Sequence, residues 1–252
     1  EVIANMLNLN TDRNNTAFVV GDVPARLENT ATAITNFATN TAGSSSNDED
    51  GLTTSDSFTA VYYPWGTSTD LAGNDVFVPP SHMVLRALAL NDDVAFPWFA
   101  PAGIRRGIVD NASSVGYIKA STGEKQVIAV SQGIRDTLQS NRINPISFIT
   151  GAGLTIFGQK TRHSQSGVGG GSSSLDRVNV ARLVVFLRTQ LDKLSQPFIF
   201  EPNDELTRNE IKQAVESFLL EVQGQRGLFD FAVVCDETNN TPSRIDRNEL
   251  HV

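Results

Sequence analysis

Residues 175–236 read LDRVNVARLVVFLRTQLDKLSQPFIFEPNDELTRNEIKQAVESFLLEVQGQRGLFDFAVVCD. In the first half, Val180, Leu183, Val184, Leu187, Leu191 and Leu194 recur at three- and four-residue steps, the apolar stripe of an amphipathic helix. Phe198-Ile199-Phe200 reads as a short extended run before Pro202. Thr207 and Glu210 stand at capping-box spacing, with Leu206 and Ile211 at the staple positions around them. The helix that follows carries Ile211, Ala214, Val215, Phe218, Leu219 and Val222 on one face and meets Gly224 as a stop signal. Residues 228–235 form a nearly all-apolar run between turn residues, the pattern of a strand covered on both faces. Helix, short strand, helix, strand is therefore the expectation, with the two helices lying on a sheet.

Working outward, 252 residues suffice for one large domain or two ordinary ones. Apolar residues at 40% against 19% charged indicate a soluble globular protein, and the longest apolar runs fall far short of a membrane span. A net charge of −8 argues against non-specific binding to nucleic acid or to anionic membranes. The single cysteine, Cys235, rules out an internal disulfide framework and a cysteine metal cluster. Its place in an apolar run suits an inert core thiol. No signal peptide is visible at the start. The chain begins at Glu1 rather than Met and runs out at His251-Val252, which is read as a fragment trimmed at both ends.

Towards the N-terminus, residues 17–20 make a short apolar run ending at Gly21-Asp22, and Leu27, Ala31, Ile34 and Ala38 repeat at helical spacing. Residues 43–51 are a Gly/Ser/Asn/Asp knot whose spacing does not match a calcium loop, so a solvated excursion is favoured over a cation site. Residues 58–63 are rich in β-formers and stop at Pro64-Trp65-Gly66. Residues 76–78 make a brief strand closed by Pro79-Pro80, after which Ser81 can cap a helix with Val84, Leu85, Leu88 and Ala89 inward. Residues 97–103 are irregular yet apolar, and residues 131–140 suggest a helix with Ile134 and Leu138 inward. Two β-rich runs, 143–149 and 154–158, flank Gly151-Ala152-Gly153 as a hairpin. Residues 163–174 are almost entirely Gly and Ser and are expected to be mobile.

The sharpest enzymatic alternative is a P-loop-like nucleotide hydrolase using Lys160 and Asp236. Residues 153–161 are one residue away from a phosphate-cradling loop, and Cys235-Asp236-Glu237 ends an apolar run as an acidic metal-binding pair would. Such a loop needs lysine directly after its second glycine, and here Gln159 intervenes. Leu154, Ile156 and Phe157 fill what should be a flexible interior, and no helix follows to hold an anion. His82, His163 and His251 are scattered, with no second ligand at metal spacing. No serine elbow is present. Arg105-Arg106 reads as an ion-pair partner and Asp92-Asp93 as a helix end. No catalytic, cofactor-binding or metal residue is assigned.

A series of uncommon phrases stands in a fixed order: Tyr62-Tyr63-Pro64-Trp65, Val78-Pro79-Pro80-Ser81, Ala100-Pro101-Ala102-Gly103, Ile143-Asn144-Pro145-Ile146 and Phe157-Gly158-Gln159-Lys160-Thr161. Phe200-Glu201-Pro202-Asn203 and Cys235-Asp236-Glu237 with Asn239-Asn240-Thr241 complete it. Taken together, these resemble the tail sheath protein of contractile-tailed bacteriophages, a family shared with the sheaths of other contractile injection machines. The resemblance implies a structural subunit that stacks as hexameric rings around an inner tail tube and contracts to drive the tube through the host envelope. It implies no cofactor and no enzyme activity. The implied partners are other copies of itself, the inner tube protein, and the baseplate and tail terminator proteins, without direct nucleic acid contact or membrane insertion. The implied location is the virion, after assembly in the bacterial cytoplasm. Chain ends in this family add strands to neighbours' sheets, so the isolated fragment is expected to be monomeric. A phage sheath and a secretion-system sheath are not told apart.

The expected fold class is α+β: layered sandwich domains with mixed β-sheets flanked by helices. A boundary is placed near residue 142, for which the resemblance implies a sheath middle domain of subtilisin-like topology over 1–142 and a conserved C-terminal core domain over 143–252, with a sheet open to sharing between the two.

Overall fold

The computed structural model describes residues 2–41, 51–52, 55–163 and 173–252. In chain order the elements are α1 (Val2–Asp12), β1 (Val19–Asp22), α2 (Ala31–Thr39), β2 (Thr59–Tyr63), β3 (Trp65–Thr69) and β4 (Asp75–Val78). Next come α3 (Pro80–Val94), α4 (Gly103–Arg106), β5 (Ser114–Ile118), β6 (Lys125–Val127), α5 (Gln132–Ser140), β7 (Ile143–Ile149) and β8 (Gly153–Ile156). After a 3₁₀ turn at Ser174–Asp176 follow α6 (Val178–Ser195), α7 (Glu205–Gly224) and α8 (Pro242–Ile245). The expected solvated excursion (43–51) and Gly/Ser stretch (163–174) lie largely outside the described residues.

Two compact units divide the chain, Glu1–Arg182 and Leu183–Val252. The first is built on two four-stranded sheets. One has the order β1-β2-β7-β8, parallel from β1 to β7 and closed by the antiparallel β7–β8 hairpin. The other, β4-β3-β5-β6, is antiparallel throughout.

Strand β2 shows why the first sheet forms. All five of its residues are buried, and they alternate between two cores. Ala60 and Tyr62 join Met83, Val84, Ala87 and Leu88 of α3. Val61 and Tyr63 join Ile34 and Phe37 of α2 and Leu138 of α5. A strand covered on both faces is what period-two alternation between two apolar layers demands.

Local chemistry fixes the helix ends. Thr30 caps α2 and Ser131 caps α5 through their hydroxyls. Helix α3 differs from expectation, because Ser81 is not its own cap. Asp22, at the end of β1, accepts from the Ser81 amide at 2.6 Å and from its hydroxyl at 2.7 Å, so the cap comes from another element. Its buried face is Met83, Val84, Ala87, Leu88 and Asn91, while Leu85 points outward. Burial pushes the Asp22 carboxyl above its ordinary value, against the lowering pull of the two Ser81 bonds.

The two compact units divide after Arg182, while residue 142, where the sequence places a boundary, lies between α5 and β7. Strand β7 lies between β2 and β8, so residues 143–156 share one sheet with β1 and β2. Val178 at the start of α6 also belongs to the first core.

In the second unit, Phe186 and Phe218 bring α6 and α7 together with ring centroids 6.2 Å apart. Ile211, Val215, Val222 and Cys235 are buried. Asp204, not Thr207, caps α7, accepting from the Thr207 amide at 2.8 Å. The helix closes one turn-residue later than Gly224. Arg226 takes the left-handed conformation, Gly227 donates to the Val222 carbonyl and Arg226 to that of Gln223, a Schellman closure. Residues 198–200 do not form an extended run either. A 3₁₀ turn at Gln196–Phe198 continues from α6, and Phe200 is 98% exposed.

The largest departure concerns residues 228–235. The alternation is present, with Cys235 buried and Val234 exposed, but among the described residues no strand lies beside this segment and both sheets belong to the first unit. An apolar extended run acquires a ladder only where a neighbouring backbone is available.

Candidate functional site

The lysine of the would-be nucleotide loop is already engaged. Lys160 Nζ donates to Asp176 Oδ2 at 2.6 Å, and Arg177 Nε reaches the other oxygen at 3.2 Å. Burial raises the Asp176 carboxyl, but the hydrogen bond and charge of Lys160, with Arg177 beside it, outweigh that and hold it below its ordinary value.

Both glycines of the motif have structural duties. Gly153 sits at positive φ in the hairpin turn. A Cβ on Gly158 would lie 2.8 Å from Asn144 Oδ1 and 3.2 Å from Asn144 Cα, so this glycine allows close approach to β7. The hydroxyl of Thr161, which a magnesium site would require, donates to the Leu175 carbonyl at 2.7 Å.

What holds this region is Asn144. Its Nδ2 donates to the carbonyls of Val61 (3.2 Å) and Lys160 (2.8 Å), and its Oδ1 accepts from the Lys160 amide at 2.7 Å. The side chain thereby imitates a peptide group beside Pro145, which has no N–H to give. Two phrases of the sequence, 143–146 and 157–161, are thus one constellation, and it is a clamp.

Asp236 likewise serves its own turn, accepting from the Thr238 amide at 2.8 Å and from the Thr238 hydroxyl, and these bonds lower its pKa. Around it is the densest polar network of the second unit. Asn240, buried, donates to the His251 carbonyl at 2.8 Å and accepts from the His251 amide at 2.8 Å and from Asn203 Nδ2 at 3.3 Å. Asn203 reaches the Glu249 carbonyl at 2.8 Å and accepts from Arg208 at 3.0 Å. Residues 200–203 and 235–241, the last two phrases, are brought together here. Sequence reading missed this use, although runs of asparagine outside helices signal backbone mimicry.

The remaining candidates stay apart from any reactive geometry. Burial pushes the Cys235 thiol up, away from thiolate character. His163 Nδ1 lies 2.7 Å from Ser57 Oγ. Among the described residues the one imidazole–carboxylate contact is His251 with Glu249, 3.3 Å apart on the surface. Arg247 first, then His251, hold Glu249 down to about 2. No group of three His, Cys, Asp or Glu that could hold a metal occurs among the described residues, and no described helix is long and apolar enough to cross a membrane. Arg105-Arg106 does not form the expected ion pair. Arg106 lies over the Phe99 ring at 4.5 Å, and no carboxylate reaches either arginine among the described residues. Asp92, in the last turn of α3, pairs with Arg182.

The surface features are apolar instead. Besides Phe200, Phe229 is fully exposed at 103%, and Ile199, Leu206 and Leu220 are open to solvent in the same unit. A groove of about 760 Å³ runs past Phe198, Ile199, Phe200, Ile211, Ile245 and Val252. Patches of this kind mark contact surfaces rather than reaction centres.

Residues 171–252 match the family model for the phage tail sheath C-terminal domain. The tail sheath protein of Vibrio phage KVP40 is 34% identical over 174 residues, 69% of this chain and 23% of that protein. Over 69% of its length the chain is similar to this phage tail sheath protein. The tail sheath protein of Enterobacteria phage T4 is 35% identical over 179 residues, 70% of this chain and 25% of its own length. The chain therefore spans about a quarter of the length of these curated relatives. Solved structures share its fold. A chain of the anti-feeding prophage baseplate superposes with a TM-score of 0.65 at 20% identity, over 87% of this chain and 59% of that one. One of the contracted PVC sheath complex, from an extracellular contractile injection system, gives 0.61 at 21%, over 81% and 56%. The α+β layering of helices on mixed sheets agrees with these neighbours.

Proposed function

We propose that this chain is part of a structural subunit of a contractile phage tail sheath, which stacks as hexameric rings around the inner tail tube and contracts to drive the tube through the host envelope. The observation that carries the reading is the apolar stretch at residues 228–235, which joins no strand ladder among the described residues, within the region that matches the sheath C-terminal domain. An extended, alternating segment without a ladder offers its backbone to a strand from another chain. Its partners are then further copies of the same protein, with the tube, baseplate and terminator proteins at the ends of the assembly. The subunit works without catalysis, its energy stored in the assembled lattice, and resides in the virion after assembly in the host cytoplasm. Residues 1–142 and 143–252 are the two sheath domains in this reading, sharing the first sheet.

Electron microscopy tests it. The full-length protein should form long tubes at moderate concentration, and this chain alone should remain monomeric. A full-length protein that stays dispersed under all conditions refutes the sheath reading; tubes from this chain alone refute the need for further strands. Calorimetry with ATP and magnesium addresses the nucleotide alternative, for which saturable binding abolished by Lys160→Ala would be required.

A further inference from the structure

The first unit carries a small apolar cup that the clamp and the two sheets leave unused. It has a volume of about 170 Å³ and is lined by Ala87, Leu90 and Val94 of α3, by Ile108, and by Arg105 and Arg106 of α4. Leu90, Val94 and Ile108 are left 41%, 84% and 44% exposed, an arrangement that favours an apolar occupant. A cavity of about 150 Å³ is enough for a benzene ring.

The walls are fixed before any partner arrives. Asn91 Nδ2 donates to the carbonyls of Phe96 and Phe99 at 3.4 Å each, the Gly107 amide donates to Gly103 at 2.8 Å, and Phe96 stacks on Trp98 at 4.8 Å. Stacking on Phe99 orders Arg106 without neutralising it, and Arg105 has no carboxylate partner among the described residues. The cup thus asks for a ring with an anion beside it.

We propose that it receives the Phe200–Glu201 corner of a second copy of this chain, an inference that rests on the sheath reading. The chain as a whole is acidic, with a net charge of −8, so a two-arginine rim is opposite in sign to its net charge. Phe200 and Glu201 add specificity. The ring is 98% exposed, the carboxylate has no hydrogen-bond or ion-pair partner among the described residues, and the Glu201 amide donates to Phe198 at 3.1 Å, which sets the turn. Adjacent residues are about 3.8 Å apart at Cα, so ring and carboxylate can reach cup and rim together. The rival corner, Phe229–Asp230, is less suited because Asp230 already accepts from the Phe231 amide at 2.9 Å.

The test uses the full-length protein and this chain in parallel. In full-length tubes, Arg105→Glu and Glu201→Arg should each raise the concentration needed for assembly about tenfold, the loss expected of a central contact. The double reversal should recover much of it. Independently of tubes, single-cysteine variants Val94→Cys and Phe200→Cys of this chain in a Cys235→Ala background, mixed and oxidised, should cross-link faster than Leu71→Cys with Phe200→Cys in the same background, Leu71 being fully exposed elsewhere. Wild-type protein that forms no tubes refutes the sheath reading while the cross-link still reports on the cup. Normal assembly of both single reversals, or equal cross-linking rates, overturns the cup assignment.

Discussion

Replacing Asn144 by alanine is the most informative change to the first unit. The side chain is fully buried, and its removal leaves the Val61 carbonyl, the Lys160 carbonyl and the Lys160 amide without their partner. A buried main-chain group left unsatisfied costs about 1–3 kcal/mol. Lys160 is only half-buried and water can reach part of the gap, so the low end applies and the sum is about 3 kcal/mol. With a urea m-value of about 2 kcal/mol/M, the midpoint should fall by roughly 1.5 M. Fluorescence is a clean probe because both tryptophans, Trp65 and Trp98, lie in the first unit and report on it alone. A midpoint shift under about 0.3 M would mean that the clamp adds little and that the 157–161 segment is held by something else.

Three further outcomes follow from the same region and from α7. The Asp176 carboxyl has a lower pKa folded than unfolded, so its contribution is fully present above the unfolded value of about 3.9 and is lost as pH falls from there through the lower folded value; urea midpoints measured from pH 5 downward should drop more steeply in wild type than in Asp176→Asn. Gly158→Ala should cost about 1–3 kcal/mol by overpacking against Asn144, whereas Gly153→Ala, with open space but positive φ, should cost only about 1 kcal/mol; equal thermal shifts would refute the close-approach argument. Asp204→Ala should lower helix stability by about 1 kcal/mol, while Thr207→Ala keeps the amide bond to the cap, loses only the hydroxyl's bond to Asp204 and should cost less; circular dichroism melts of the two variants distinguish the assignments.

Much of the fold was legible because periodicity carries it. The β-rich run at 58–63, the hairpin at 143–158 and the helices α5, α6 and α7 all follow from spacing of apolar residues and turn chemistry. The short strands β5 and β6 were not, since β5 is interrupted by Gly116 and β6 is exposed throughout and shows no alternation to read. Residues 228–235 have the composition of an interior strand, but composition is silent on whether a partner strand is present in the same chain. The clamp was half-legible. Gln159 already spoiled the nucleotide motif, yet Asp176 lies beyond the Gly/Ser stretch and nothing local announces its pairing with Lys160. An asparagine directly before a strand proline was the available hint that a side chain would substitute for a missing main-chain donor.

Strand β2 ends at Tyr63 and β3 begins at Trp65, so a single residue, Pro64, joins the two sheets of the first unit. Trp65 is also tied across to the Val23 carbonyl at 2.7 Å. There is no slack in such a joint. A pull on the antiparallel sheet is transmitted to the parallel one along continuous covalent chain, and the helices packed on either side of β2 resist its rotation. A body so connected passes displacement on rather than absorbing it.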